Sequence, residues 1–297
     1  MQKCVALTII ALILLPLVGA DTAPPDESRE AIGGHSILLE QYTATWCDTC
    51  ATIDPWISDF VDDRHSRVVR VALHPLGPDP FGTNLTTHRV YLNGESGDVP
   101  LPTFWFDGGG QQEGQVTQST LENGLRNAEG NRESEISMHV WWDTWNNEPH
   151  DTIQILSIHI EGVPDNANMT VFRLENLEMT DEIAYNGIDV HHDVATQMIA
   201  FDQNGTVSQS FDGDYGWTIS KGNLYSEGGI PVFILETHGD VDGFVTVIEV
   251  EGAVRGVIEI TAEDNPRNVE KNDKIALILL LGALVASSTL VSRRQIQ

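Results

Sequence analysis

Short apolar runs and segments compatible with helices alternate over the first 130 residues. Three runs have the length and the β-branched or aromatic content of buried strands: HSILLEQYTA, RVVRVALHPL and PTFWFDGGG. Three further segments fit helices, and the first of them has clear helical spacing: ATIDPWISDFVDD, NLTTHRVYLNG and VTQSTLENGLRNAEG. The order strand, helix, strand, helix, strand, helix predicts an α/β domain over residues 31–130, with a partly parallel sheet covered by helices.

The pattern changes at about Ser134. Eight short strand-like runs follow, separated by Gly, Asn, Asp or Pro, and none of them has a helical period. Regular short strands of this kind predict an all-β sandwich-like domain over residues 134–262. The first of these runs contains Trp141, Trp142 and Trp145, which could form a ligand-binding platform. They are interpreted as core or inter-domain packing residues, because aromatic side chains in strands usually pack in this way. The polar segment before the first apolar run is interpreted as a leader without regular structure.

Both ends of the chain are apolar. Residues 1–20 have one lysine, an apolar run and small residues at a cleavage position, which predicts a secretory signal peptide that takes Cys4 with it. A polar linker, 263–273, leads to residues 274–292, which predict a transmembrane helix. Arg293 and Arg294 follow at once and indicate a short cytoplasmic tail. The predicted location is the cell membrane, with a single pass and with the preceding domains extracytoplasmic.

The composition excludes one class of partner. The chain has 44 Asp and Glu residues against 16 Lys and Arg residues, a net charge of −28. Such a surface repels the phosphates of nucleic acids. We therefore expect no nucleic-acid partner and interpret the charge as a well-solvated surface.

The stretch YTATWCDTCATIDP holds Cys47 and Cys50, the only thiols left once the signal is removed. A cysteine at the start of a helix gains thiolate character, and a second cysteine one turn later can resolve a mixed disulfide. A structural disulfide is a second interpretation, although the loop it closes is small and stabilises little. A metal site, with His74 as a further ligand, is a third interpretation.

The motif resembles the thioredoxin-like superfamily. WCDTC looks like the W-C-x-x-C of that family, Pro55 stands where the family carries a helix-kinking proline, and LPTFWFDGG looks like its proline-threonine strand. The resemblance implies a cis Leu101–Pro102 bond, Cys47 as attacking nucleophile, Cys50 as resolving thiol, Pro102 as the residue that shapes the substrate groove, and Trp46 beside it. It implies no cofactor and no metal.

The predicted fold is then an α/β thioredoxin-like domain, an all-β sandwich-like domain and a C-terminal transmembrane helix, closest in setting to the TlpA-like and outer-membrane thioredoxin-like branches. The predicted function is that of a membrane-anchored thiol–disulfide oxidoreductase acting on cysteines of exported proteins, with a membrane-embedded electron donor or acceptor. The alternative is a non-catalytic cell-surface binding or scaffold protein.

Two positions depart from the family pattern. Six residues before Cys47, where many members have a buried carboxylate, the chain has Gln41; Glu40 is next to it but faces the opposite side of a strand. Asp48 follows Cys47, and a carboxylate there opposes thiolate formation. A less stable thiolate favours the disulfide over the dithiol, so a reductase or isomerase is favoured over a strong oxidant.

Overall fold

The computed structural model describes residues 24–94, 99–133, 136–147, 151–179, 185–213, 215–224 and 229–262, with the backbone alone at residues 147 and 151. Nearly all of them belong to one compact unit, 25–222 and 231–268; a second unit, 1–24, 223–230 and 269–297, has few described residues. The predicted signal peptide, linker and transmembrane helix lie outside the described residues. Within the described ranges, no helix has both the length and the apolar character needed to span a bilayer.

Strands and helices alternate first, and strands alone follow. The first part has β1 (Glu27–Gly33), β2 (Ile37–Tyr42), α1 (Asp48–Ala51), α2 (Asp54–Asp62), β3 (Val68–Leu73), α3 (Asn84–Leu92), β4 (Thr103–Phe106), β5 (Gly109–Glu113) and α4 (Gln118–Asn131). The second part has β6 (Ser137–Asn147), β7 (Asp151–Glu161), β8 (Ala167–Glu178), β9 (Val190–Asp202) and β10 (Val207–Phe211). It ends with β11 (Thr218–Leu224), β12 (Ile230–His238), β13 (Gly243–Val250) and β14 (Ala253–Thr261).

The strands form two sheets. One has the order β1-β6-β7-β12-β11, and the other has the order β14-β13-β8-β9-β3-β2-β4-β5, with β10 also paired to β9. In the larger sheet β2 runs parallel to β3, and β3 pairs in parallel with β9 at Ala72 and Val194. The pairs of β2 with β4 and of β8 with β9 are antiparallel.

The predicted fold class is wrong. The described part of the chain is mostly β, and the strands expected in an α/β domain share their sheets with the strands expected in a separate sandwich. β9 continues the sheet beyond β3, and β1 joins β6 in the smaller sheet. The reason is that local apolar patterns indicate which segments are strands but not which distant strand pairs with each edge. The segment interpreted as a leader without regular structure contributes β1.

Three groups of buried side chains hold these layers together. The first fills the space between the two sheets, with Trp142 and Leu156 from the smaller sheet against Phe201 and Phe244 from the larger one. The second joins side chains of β2 and β3 to those of β8, β9, β13 and α3. The third packs α2 and α4 on β2, β3 and β4. The β2–β4 part of the larger sheet is therefore buried on both faces, and its loops carry the cysteines.

Candidate redox site

β2 ends just before the cysteine turn, so the cysteine pair lies at one end of the larger sheet. The strand is buried almost throughout and lies between β3 and β4, which fixes the point where the chain leaves the sheet. A turn follows, in which the Cys47 N–H donates to the Ala44 carbonyl at 3.1 Å. Cys47 then caps the N-terminus of α1. The strand-to-helix junction predicted for the pair is confirmed.

The two cysteines form a disulfide, with their Cα atoms 5.2 Å apart. Cys47 is 7% exposed, whereas Cys50 is completely buried. The Cys50 N–H donates to Cys47 Sγ at 3.1 Å. Cys47 is therefore the more exposed of the two cysteines, and a backbone N–H points at its sulfur.

The other two predicted site residues lie beside the pair. Trp46 is 43% exposed next to Cys47. Because Tyr42 of β2 is opposite Thr103 of β4, Pro102 lies at the same end of the sheet as the cysteine turn. The Leu101–Pro102 bond is cis, as the resemblance implies. Leu101 packs against the buried cluster of Ala44, Cys47 and Cys50.

Gln41 and Glu40 face opposite sides of β2, as predicted. Gln41 donates to Asp54 of α2 at 2.5 Å, and Thr43 donates to the same carboxyl at 2.8 Å. Burial raises the pKa of Asp54, and the hydrogen bond from Thr43 opposes that rise. Both oxygens of Glu40 accept from Arg89 on the other face of the strand. The carboxyl group nearest to Gln41 is thus Asp54, which sequence reasoning missed, although it lies only four residues after Cys50.

A buried His–Asp pair supports the cysteine turn from the side of β3. Asp79 accepts from the backbone N–H of Thr45 at 2.9 Å, and its carboxylate lies 3.0 Å from His74 Nδ1. Burial opposes ionisation, but the hydrogen bond to His74 and its charge lower the pKa of Asp79. His74 therefore holds the turn through Asp79. No group of three or more His, Cys, Asp or Glu side chains suited to a metal ion occurs among the described residues.

The start of β9 packs against the same pair. His191 is buried, with its ring centroid 5.1 Å from that of His74. Burial and the nearby His74 lower the pKa of His191 to about 4. Asp193 forms an ion pair with Arg70 of β3 at 2.7 Å. These contacts bring a segment from the second part of the chain to the cysteine turn.

The chain is similar to known proteins in fold and not in sequence. No protein-family model and no curated protein matches this chain. Among solved structures, HBP35 of Porphyromonas gingivalis is similar, with a TM-score of 0.54, 13% identity and coverage of 80% of this chain and 79% of that one. A protein of Agrobacterium tumefaciens gives a TM-score of 0.45 at 11% identity, over 79% of this chain and 97% of that one, which is too low to support an argument. The likeness to HBP35 is a likeness of fold alone.

Proposed function

We propose that the protein is an extracytoplasmic thiol–disulfide oxidoreductase of the thioredoxin-like superfamily, anchored by residues 274–292 and acting on cysteines of exported proteins. The observation that carries the proposal is the asymmetry of the disulfide. Cys47, at a helix N-terminus, is 7% exposed, and Cys50 is completely buried one turn behind it. This arrangement separates an attacking sulfur from a resolving one.

In the reducing direction, the Cys47 thiolate attacks one sulfur of a substrate disulfide. A bond forms between Cys47 Sγ and that sulfur, and the second substrate sulfur leaves as a thiolate, which takes up a proton. The Cys50 thiol then loses its proton, and its sulfur attacks Cys47 Sγ and releases the first substrate sulfur. The substrate gains two electrons and two protons, and the protein ends with the Cys47–Cys50 disulfide.

The surroundings of Cys47 support the reducing or isomerising direction. The Cys50 N–H and the helix N-terminus stabilise the Cys47 thiolate, but the Asp48 carboxylate opposes it. The balance gives a thiolate less stable than that of a strong oxidant, so the dithiol is the better electron donor. Because the cysteines would lie outside the cytosol, a membrane-embedded donor would have to renew the dithiol.

The test uses the full chain in a Cys4→Ser background, where Cys47 and Cys50 are the only thiols. We expect the parent to catalyse the reduction of insulin by dithiothreitol and the Cys47→Ser and Cys50→Ser variants to lose the catalysis. In cells, Cys50→Ser should accumulate mixed disulfides with exported proteins, because the resolving sulfur is absent. Cys47→Ser is the matched control and should trap none.

Two results together would overturn the proposal. They are insulin reduction at the uncatalysed rate in the parent and the absence of mixed disulfides with the Cys50→Ser variant. That outcome would favour the alternative class, a non-catalytic binding or scaffold protein.

A further inference from the structure

Asn186 lies in the connection between β8 and β9 and contacts the cysteine turn. Its Nδ2 donates to the Ala44 carbonyl at 3.2 Å and to the Cys47 carbonyl at 3.3 Å. These two residues are the first and last of the turn that carries Trp46. A single side chain, 139 positions away from Cys47 along the chain, thus bridges both ends of the turn.

The orientation of the Asn186 amide is determined by its surroundings. Its Oδ1 accepts from the backbone N–H of Ile188 at 3.2 Å. The reverse orientation would place Oδ1 against the carbonyl oxygens of Ala44 and Cys47, all three of which are acceptors. The nitrogen therefore faces the cysteine turn and the oxygen faces its own loop.

The segment that carries Asn186 is anchored by contacts with β3 and with the loop that follows β3. Three and five positions after Ile188, His191 packs against His74 and Asp193 pairs with Arg70. Both partners belong to β3 or to the loop that follows it. The amide of Asn186 is therefore presented by an anchored segment, which allows it to fix the turn and not merely follow it.

The turn itself sets the position of the attacking sulfur. The Cys47 N–H donates to Ala44, and the Cys47 carbonyl accepts from Ala51 N–H at 3.1 Å in the first turn of α1. This backbone geometry aligns Cys47 Sγ with the N–H of Cys50. A shift of the Cys47 backbone would remove the sulfur from the donor that stabilises its thiolate.

We infer that Asn186 is a positioning residue for Cys47, through which residues 185–189, just before β9, hold the attacking sulfur at the start of α1. The inference rests on the proposed function and deepens it, because it makes part of the chain outside residues 31–130 a component of the redox site. The contact is made by a side chain from the part of the chain that follows the region resembling thioredoxins.

The first test measures Cys47 directly. In a Cys4→Ser, Cys50→Ser background, Cys47 is the only thiol, and its alkylation by iodoacetamide is followed as a function of pH. Asn186→Asp replaces the donor by a carboxylate facing two carbonyl oxygens, and we expect the half-maximal pH to rise by about one unit. Asn186→Ala removes the donor without adding charge and should raise it by less.

The matched control is Asn204→Asp. Asn204 is exposed and follows the far end of β9, about 40 Å along that strand at 3.3 Å per residue. The charge change is the same, but we expect the alkylation profile of the parent. Thermal unfolding of each variant establishes that the comparison is made between folded proteins.

The second test measures turnover with both cysteines present. Asn186→Asp and Asn186→Ala should lower kcat for insulin reduction about tenfold and threefold respectively, with smaller changes in KM. If folded Asn186→Ala and Asn186→Asp keep the alkylation profile and kcat of the parent, the inference is wrong. An inactive parent counts against the proposed function instead, which it overturns together with the absence of mixed disulfides in the Cys50→Ser variant. The alkylation profile still decides the role of Asn186 in either case.

Discussion

The proposed direction of electron flow depends on one exposed side chain, Asp48. It occupies the first position of α1, directly after Cys47, the proposed attacking cysteine. A carboxylate there interacts favourably with the helix N-terminus and unfavourably with the Cys47 thiolate. Asp48 therefore stabilises α1 but destabilises the dithiol form of the cysteine pair.

Replacing Asp48 by Asn should make the protein a stronger oxidant. With the negative charge removed, we expect the half-maximal pH of Cys47 alkylation to fall by about half a unit. Equilibration in glutathione buffers should then show a larger dithiol fraction than in the parent. Asp165→Asn, a distant exposed substitution, is the control. A dithiol fraction unchanged or reduced in Asp48→Asn would contradict the assignment.

His191 makes the stability of the protein sensitive to acid. Its pKa is about 4 in the folded chain against 6.5 when unperturbed, so the unfolded chain binds more protons between these values. The free energy of unfolding should therefore fall as the pH drops from about 6.5 to 4, by about 2 kcal/mol at pH 5 from this group. Below pH 4 both states bind the proton and the loss is complete.

Urea unfolding at pH 7.5 and pH 5.0 measures this effect. His191→Phe keeps a ring of similar shape beside His74 and Phe81 but removes the titration, so we expect its stability to change less between the two pH values than that of the parent. His35→Phe, at an exposed position, should behave as the parent does. Equal pH dependence in parent and His191→Phe would contradict the assigned pKa.

At the scale of elements, α3 is attached to the larger sheet by buried charge. Arg89 is 1% exposed and pairs with Glu40 of β2 at 2.7 Å and with Glu249 of β13 at 3.1 Å. Asn93, just after the helix, also donates to Glu40. Apolar contacts of α3 with the sheet are few, since Leu85 is its one large buried aliphatic side chain among the described residues. The ion pairs therefore determine where the helix lies.

Arg89→Met should destabilise the protein by about 3–5 kcal/mol, because it leaves the buried Glu40 carboxylate without its cation. The double variant Glu40→Gln, Arg89→Met should recover part of that loss. Arg126→Ala is the matched control: its pair with Glu122 is exposed and should contribute less than about 0.5 kcal/mol. The measurement is the free energy of unfolding in urea. A loss no larger than that of Arg126→Ala would show that the pair does not hold α3.

At the scale of the whole molecule, the two halves of the sequence share one sheet. Val71 and Leu73 of β3 belong to the same buried cluster as Phe172 of β8 and Val245 of β13. The segment 31–130 thus uses side chains of later strands to cover one of its faces. The cysteine turn depends on the same arrangement, because Asn186 belongs to the later part.

A fragment of residues 31–130 should not fold on its own. Without the later strands, the apolar face of β2 and β3 is exposed to water and β3 has an unpaired edge. We expect poor amide dispersion in NMR spectra and rapid hydrogen exchange, with the full chain as control. A cooperative thermal transition of the fragment would contradict this prediction.

Individual strands and helices, and the orientation of side chains within them, could be predicted from the sequence alone. Six runs predicted as alternating strands and helices correspond to β2, α2, β3, α3, β4 and α4, because their apolar spacing depends only on near neighbours. The opposite orientations of Glu40 and Gln41 follow from the period of a strand. The W-C-x-x-C motif and the proline of Leu101–Pro102 likewise lie close in sequence to the features they indicate.

Long-range pairing was decided by the tertiary structure alone. The joining of β9 to β3, the strand β1 in a polar segment, the burial of His191 and the contact of Asn186 with Cys47 all link residues more than 100 positions apart. Strand edges and apolar faces are chemically similar along the chain, so local patterns do not select among them. Selection comes from packing all the buried faces at once, and that packing determines which polar side chains surround the disulfide.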